Sequence, residues 1–327
     1  MSGILQYLIG IDTPKVLVFG ITGKQGESRS RVMRGAGTQI LAGCTPGKGG
    51  QEVDGVPVFN SAAEAVAEVP ELNCAVTYVP AGAVKAAALE AIDAGLKFLV
   101  LTADGVPTHD QIIMKEFAAE RGATYLGPNT VGMLDPGAGY LFGLIGGSAA
   151  WAIKNYLAGT VGVISRSGGL SQLFGSFHCR PHLPGPRPDG SFGPLWAGRC
   201  PGISAVLCTG GDPVPGVTMC DAALAFEKDP RTRVIVAYGE TGTTQENDLA
   251  AAVRKGAVTK PVIVFLGGMF SKSGVAQSHA GAMIRNESET YASKRAVMEA
   301  AGITVVQRPD AVFAETAKAL EISAEQP

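Results

Sequence analysis

Short runs of β-branched and other apolar residues alternate with longer helical stretches along almost the whole chain, and this rhythm constrains the fold most. In the first half, runs at residues 16–20, 39–43, 74–79, 98–102 and 124–127 read as buried strands. Helical stretches at 27–37, 83–94 and 110–121 separate them. Apolar strands joined through helices imply a parallel sheet covered on both faces. The second half repeats the pattern, with strands at 161–165, 203–208, 234–238, 262–265 and 303–306. Its helices fall near 219–226, 245–255, 290–300 and 311–320. Residues 136–158 are Gly-rich and less periodic, which marks a boundary. The expected fold is α/β, with two doubly wound domains, at 1–145 and 155–327. A chain of 327 residues is long enough for two cores.

Composition narrows the function. Apolar residues make up 46% and charged residues 17%, so disorder is excluded. The net charge of −2 carries no basic footprint, and no nucleic-acid partner is expected. No apolar run approaches the ~20 residues that span a bilayer, and the N-terminus lacks the basic start of a signal peptide. No transit peptide is read either. Scattered cysteines in apolar contexts, such as Cys74 and Cys208, read as reduced thiols. The expected location is cytoplasmic, or the mitochondrial matrix in a eukaryote. Residues 177–200 break the rhythm, with Pro181, Pro184, Pro186, Pro188 and Trp196 crowded together. A structureless stretch of that length is uncommon in a compact domain and reads as an exposed insertion or a sequence anomaly. Its Cys179, His182 and Cys200 lack a full four-ligand spacing, so no metal site is expected.

Two glycine-rich loops follow the first two strands. Gly20-Ile21-Thr22-Gly23-Lys24-Gln25-Gly26 turns from strand into helix, where backbone N–H groups and the helix dipole favour phosphate. A purely structural turn would look the same. The second loop is more telling. An NAD site calls for an acidic residue about 20 positions on, whereas this chain has Cys44-Thr45-Pro46-Gly47-Lys48-Gly49-Gly50. A lysine among flexible donors suits a phosphorylated ribose, as in NADP or CoA.

In the second half, His279 lies in a loop of small residues after a strand. An imidazole acts as a nucleophile when an acceptor holds its other nitrogen. Glu240, at the end of another strand, is the candidate acceptor. Ser165, Arg166, Ser167, Gly168 and Gly169 end a third strand and open a helix whose positive end would face an anion.

These residues carry a resemblance. The chain resembles the alpha subunit of succinyl-CoA synthetase over nearly its whole length, apart from 177–200. The matching motifs are residues 20–26 and 45–50, Tyr78-Val79-Pro80-Ala81, Asp104-Gly105-Val106-Pro107-Thr108, Gly127-Pro128-Asn129, residues 165–168, Gly210-Gly211-Asp212-Pro213, Gly239-Glu240 and His279-Ala280-Gly281-Ala282. The resemblance implies a Rossmann-like CoA-binding domain at 1–145, followed by a flavodoxin-like CoA-ligase domain at 155–327 bearing a phosphohistidine. Thr22, Gly23, Lys24, Gln25, Lys48, Thr102, Ala103 and Asp104 would bind CoA. His279 would carry phosphate and Glu240 would orient it. Asn129 and residues 165–169 would meet phosphate and substrate. The phosphoryl group would pass to a small carboxylic acid, and the acyl phosphate to the CoA thiol. ATP or GTP with Mg would be bound mainly by a separate ATP-grasp beta subunit.

The departures concern the acid. Succinate enzymes carry Asn-Cys-Pro-Gly where this chain has Asn129-Thr130-Val131-Gly132. They carry Ser-Gly-Thr-Leu-Thr-Tyr-Glu where it has Ser167-Gly168-Gly169-Leu170-Ser171-Gln172-Leu173, and Gly where it has Ser278. The Thr130-Val131-Gly132 and Ser167-Gly168-Gly169 variants, with Glu287-Ser288-Glu289-Thr290, look more like ATP-citrate lyase and citryl-CoA synthetase. Residues 45–50 remain of the succinate type. A citrate-specific ligase is therefore the alternative substrate reading, and a non-catalytic CoA-binding module is the alternative of another class. An NADP oxidoreductase would explain Lys48 but not the second-half loops.

Overall fold

The computed structural model describes residues 2–186, 191–196, 199–275, 279 and 282–321. The chain forms two compact units, residues 1–154 with 208–217, and residues 155–207 with 218–327.

The first unit opens with α1 (Ile4–Ile9), whose first N–H reaches Asp135 Oδ2 at 2.8 Å, with Ile4 and Leu5 buried. There follow β1 (Lys15–Phe19), α2 (Lys24–Gly35), β2 (Gln39–Cys44), β3 (Glu52–Val53), β4 (Val56–Phe59), α3 (Ala62–Glu68), β5 (Cys74–Thr77), α4 (Ala81–Asp93), β6 (Phe98–Leu101), α5 (Thr108–Glu120) and β7 (Thr124–Leu126). The strands lie in the order β3-β4-β2-β1-β5-β6-β7. All pairs are parallel except the β3–β4 edge. Without that edge, the order is the doubly wound dinucleotide-binding one, reversing between β1 and β5. Strands β5 and β6 are buried throughout because helices cover both faces. The Gly-rich stretch read as a boundary holds further elements, β9 (Tyr140–Gly143) and α6 (Ala149–Asn155); β9 pairs antiparallel with β8 (Gly132–Asp135), just before that stretch.

The second unit contains β10 (Ala158–Ser165), α7 (Gly168–Phe177), β11 (Pro184–Pro186), β12 (Phe192–Pro194), β13 (Ile203–Cys208), α8 (Met219–Lys228), β14 (Val234–Gly239), α9 (Gln245–Arg254), β15 (Val262–Leu266), α10 (Tyr291–Ala300), β16 (Thr304–Val306) and α11 (Ala311–Ala319). Its strand order is β16-β15-β14-β10-β13. Counted along the chain this is 2-1-3-4-5, the flavodoxin order, which reverses between β10 and β14. Both halves thus have the expected α/β architecture. Helix α8 starts with a capping box in which Thr218 and Asp221 satisfy each other's backbone N–H.

The segment at 177–200 is not an exposed, structureless insertion where it is described. Strands β11 and β12 pair as an antiparallel hairpin. Trp196 and His178 are fully buried, and their rings pack around Phe313 at 6.4 and 5.0 Å. The Trp196 indole N–H donates to Phe177 O at 3.3 Å. The prolines hid this, because they cannot donate to a ladder but tolerate a short edge hairpin. Pro188 lies outside the described residues.

Candidate functional site

In parallel sheets, ligands sit beyond the carboxyl ends of the strands, at the point where the strand order reverses. In the first unit that edge gathers Thr22, Gly23, Lys24 and Gln25 after β1, Lys48 after β2, and Thr102, Ala103 and Asp104 after β6. Helix α2 begins at Lys24, three residues earlier than the sequence reading, because Gly23 takes an extended cap conformation. No side chain caps its first turn, so leading N–H groups are left for another acceptor. Gly26 makes the tight entry feasible, since a Cβ there would lie 2.1 Å from Gly20 O. The Thr22 hydroxyl donates to Thr45 Oγ1 at 3.3 Å, joining the two loops. Lys24 and Lys48 are exposed and pair with no carboxylate among the described residues. Thr102 is fixed by its hydroxyl donating to Thr77 O at 2.6 Å. The arrangement presents two cations, a helix N-terminus and small residues along one edge, which fits a phosphate-rich ligand.

Asn129 was grouped in sequence with residues 165–169, yet it belongs to the first unit. Its N–H donates to Ala103 O at 2.8 Å, and it sits in a left-handed conformation at φ 59°. Thr130 is buried, its hydroxyl donating to Cys208 O at 2.5 Å.

In the second unit, Ser165 ends β10 and Arg166 follows it, while Glu240 lies beyond β14; these two strands flank the reversal. Nδ1 of His279 lies 2.9 and 3.0 Å from the two Glu240 carboxylate oxygens. Nη1 of Arg166 lies 3.2 Å from Glu240 Oε1 and 3.3 Å from Thr243 Oγ1. The Arg166 and Glu240 side chains are 0% and 4% exposed, while His279 retains 20%. Burial alone would push the Glu240 carboxyl up. The hydrogen bond from His279 and the charge of Arg166 outweigh it and hold the group below its ordinary value. With Glu240 ionised, Nδ1 of His279 is the protonated donor and Nε2 carries the lone pair.

Two further atoms of Arg166, Nε and Nη2, are buried without a hydrogen-bond partner among the described residues. Arg166 itself directly precedes Ser167, the N-cap of α7, and that cap makes no side-chain hydrogen bond into the helix. Instead, the Ser165 hydroxyl donates to Ser167 O at 2.7 Å and accepts from Ser167 N–H at 3.1 Å. Buried guanidinium donors without a partner among the described residues, and an open helix N-terminus that follows Arg166 in the chain, each favour an oxyanion.

Sequence reasoning missed the residues beneath Glu240. Glu246 and Lys294 are fully buried and paired at 2.5 Å, and the Tyr238 hydroxyl lies 3.4 Å from Glu240 Oε2. Charged residues on helices are usually solvated, and no local pattern marks these two as buried. Ser278, Ala280 and Gly281, which flank His279, lie outside the described residues.

Comparison with known proteins matches both halves. Residues 12–105 match the CoA binding domain, and residues 196–320 the succinyl-CoA ligase like flavodoxin domain. The chain is 38% identical to the alpha subunit of ADP-forming succinate–CoA ligase from Methanothermobacter thermautotrophicus, covering 96% of this chain and 97% of that one. It is 35% identical to the ADP-forming sulfoacetate-CoA ligase subunit SauD of Bilophila wadsworthia, over 92% of this chain and 94% of the relative. Among solved structures, ATP citrate lyase of Methanosaeta concilii with (3S)-citryl-CoA matches 94% of this chain with a TM-score of 0.80 at 22% identity. This chain spans half the length of that protein, and the likeness concerns the fold. By near-complete coverage at this identity, the chain belongs to the alpha-subunit family of the succinate–CoA ligases.

Proposed function

We propose that this chain is the alpha subunit of an NDP-forming carboxylic acid–CoA ligase, with residues 1–145 binding CoA and 155–327 carrying the phosphohistidine. The observation that carries the reading is the Glu240–His279 contact at 2.9 Å, backed by buried Arg166. Glu240 holds the Nδ1–H tautomer, so Nε2 is the nucleophile. It attacks the γ-phosphorus of ATP or GTP, and the nucleoside diphosphate leaves. The imidazolium character gained at His279 is offset by Glu240. Arg166 and the N-terminus of α7 compensate the charge of the phosphoryl oxygens. An oxygen of the substrate carboxylate then takes the phosphoryl group, which restores neutral His279. Attack by the CoA thiol on the acyl carbon releases inorganic phosphate and gives the thioester.

The first-unit edge fits CoA as a substrate. Lys24, Lys48 and the opening turn of α2 would neutralise its phosphates, with Thr22, Gly23, Gln25 and residues 102–104 beside them. The nucleotide and its Mg would be bound by a separate ATP-grasp beta subunit; the naming of relatives as alpha subunits supports a partner subunit. The location is cytoplasmic, in keeping with the bacterial and archaeal relatives; among the described residues no helix is long and apolar enough to cross a membrane.

The acid is a small di- or tricarboxylate, with residues 165–169 of the second unit as its proposed contacts. Citrate is the second reading, favoured by Thr130-Val131-Gly132 and by Gly169 in place of the succinate-type residues.

The test uses this chain co-purified with its beta subunit and incubated with γ-labelled ATP or GTP. Acid-labile label on this chain is expected, absent in His279→Ala, and discharged by one acid together with CoA. Absence of label from a folded pair whose melting temperature CoA still raises would leave a CoA-binding module.

A further inference from the structure

Glu240 must be held where its carboxylate meets His279, yet it sits in a loop just past β14. Both of its backbone polar groups are bound by a buried ion pair. Its N–H donates to Glu246 Oε1 at 2.9 Å, from the first turn of α9. Its carbonyl accepts from Lys294 Nζ at 2.8 Å, from the first turn of α10. Lys294 spends its other donors on Gly242 O at 2.6 Å and Glu246 Oε2 at 2.5 Å. Each ammonium hydrogen therefore has an acceptor, and both side chains are 0% exposed. The approach is so close that a Cβ on Gly239 would lie 2.7 Å from Glu246 Oε1. Gly242 is held further, its N–H donating to Glu289 O at 3.1 Å, and the next residue, Thr243, is left-handed at φ 58°.

A buried ion pair is a poor source of stability, because desolvation of both charges offsets their attraction. This pair instead clamps one short loop from two helices. We infer that Lys294 and Glu246 are positioning residues for phosphoryl transfer: they fix the Glu240 backbone, and through its carboxylate the Nδ1–H tautomer of His279. Neither touches substrate. The inference rests on the phosphohistidine reading, and it explains why charges are retained in the core beneath the site.

The experiment uses the alpha–beta complex with Glu246→Met/Lys294→Met, which removes both charges together and so leaves neither unpaired. Three quantities are read: the melting shift caused by CoA, the rate of acid-labile labelling, and the ¹⁵N shifts of the His279 ring. Expected are an unchanged CoA response and labelling slowed roughly tenfold to a hundredfold. The ring nitrogens should move from a single tautomer toward a mixture. Glu246→Gln, which keeps an acceptor for the Glu240 N–H, should recover most of the rate and the ring signature. A double variant that labels at the wild-type rate, or whose ring shifts stay unchanged, overturns the inference. So does a Glu246→Gln variant as slow as the double one. Where the double variant does not fold, Glu246→Leu/Lys294→Met, which likewise removes both charges together, is read by the same criteria. If wild type itself takes no label, the ligase reading fails, and the ring signature alone still decides the positioning role.

Discussion

Oε1 of Glu240 lies 2.9 Å from Nδ1 of His279 and is the same oxygen that receives Arg166 at 3.2 Å. One carboxylate thus orients the imidazole while a buried guanidinium keeps that carboxylate ionised. Replacing Glu240 by Gln preserves the shape and removes the charge. Labelling of His279 should slow by about a hundredfold or more. The pH behaviour follows from the same group. Its folded value is depressed below the ordinary 4.5, so the unfolded chain binds the proton first as pH falls. The stability it contributes is complete above pH 4.5 and is lost as pH drops through the lower folded value. Melting curves of wild type and Glu240→Gln should differ by a constant above about pH 5 and converge below it.

Arg166 is the matching test of the electrostatics. Arg166→Met leaves Glu240 buried with one partner fewer and should cost about 3–5 kcal/mol in urea denaturation. The wild type, whose Arg166 Nε and Nη2 lack partners among the described residues, should be stabilised by inorganic phosphate, and the variant should not. An equal phosphate response in both would remove Arg166 from the oxyanion site.

Much of this was legible in sequence for a physical reason. Strands buried on both faces must be continuously apolar, so residues 203–208 and 234–238 could be bounded closely. Glu240 and residues 165–169 follow such strands, where doubly wound folds hold ligands. Edge elements left weaker marks: β3 and β4 are 2 and 4 residues long, and β9 lies in a stretch whose glycines read as linker, with β8 just before it. Lys294 and Glu246 could not be found, because a lysine and a glutamate 48 positions apart carry no signal of burial. Trp196 and His178 were hidden by the prolines around them.

The first-unit edge yields to a single methyl group. At Gly26 an added Cβ meets backbone, the Gly20 carbonyl oxygen at 2.1 Å, so the loop itself must shift. Gly26→Ala should cost about 1–3 kcal/mol and abolish most of the melting shift given by CoA. Labelling of His279 needs no CoA and should persist, while discharge by acid plus CoA should fail. Loss of both functions together would mean that the substitution unfolds the chain instead of reshaping one site.

His178 gives the hairpin segment a pH signature of its own. The ring is fully buried against Trp196 and Phe313, with Nδ1–H donating to Phe174 O at 2.6 Å and Nε2 3.2 Å from Thr316 Oγ1. Burial lowers its value from 6.5 to about 4, against a smaller upward effect of the Phe174 hydrogen bond. Between those values the unfolded chain is protonated and the folded one is not, so stability falls as pH is lowered. The slope for one proton is about 1.4 kcal/mol per pH unit. In His178→Phe the aromatic packing is kept and the titration is gone, so urea denaturation should show a shallower slope between about pH 6.5 and 4 by that amount. Equal slopes in the two proteins would mean that His178 is solvated, and that the packing of Trp196 and Phe313 around it does not hold in solution.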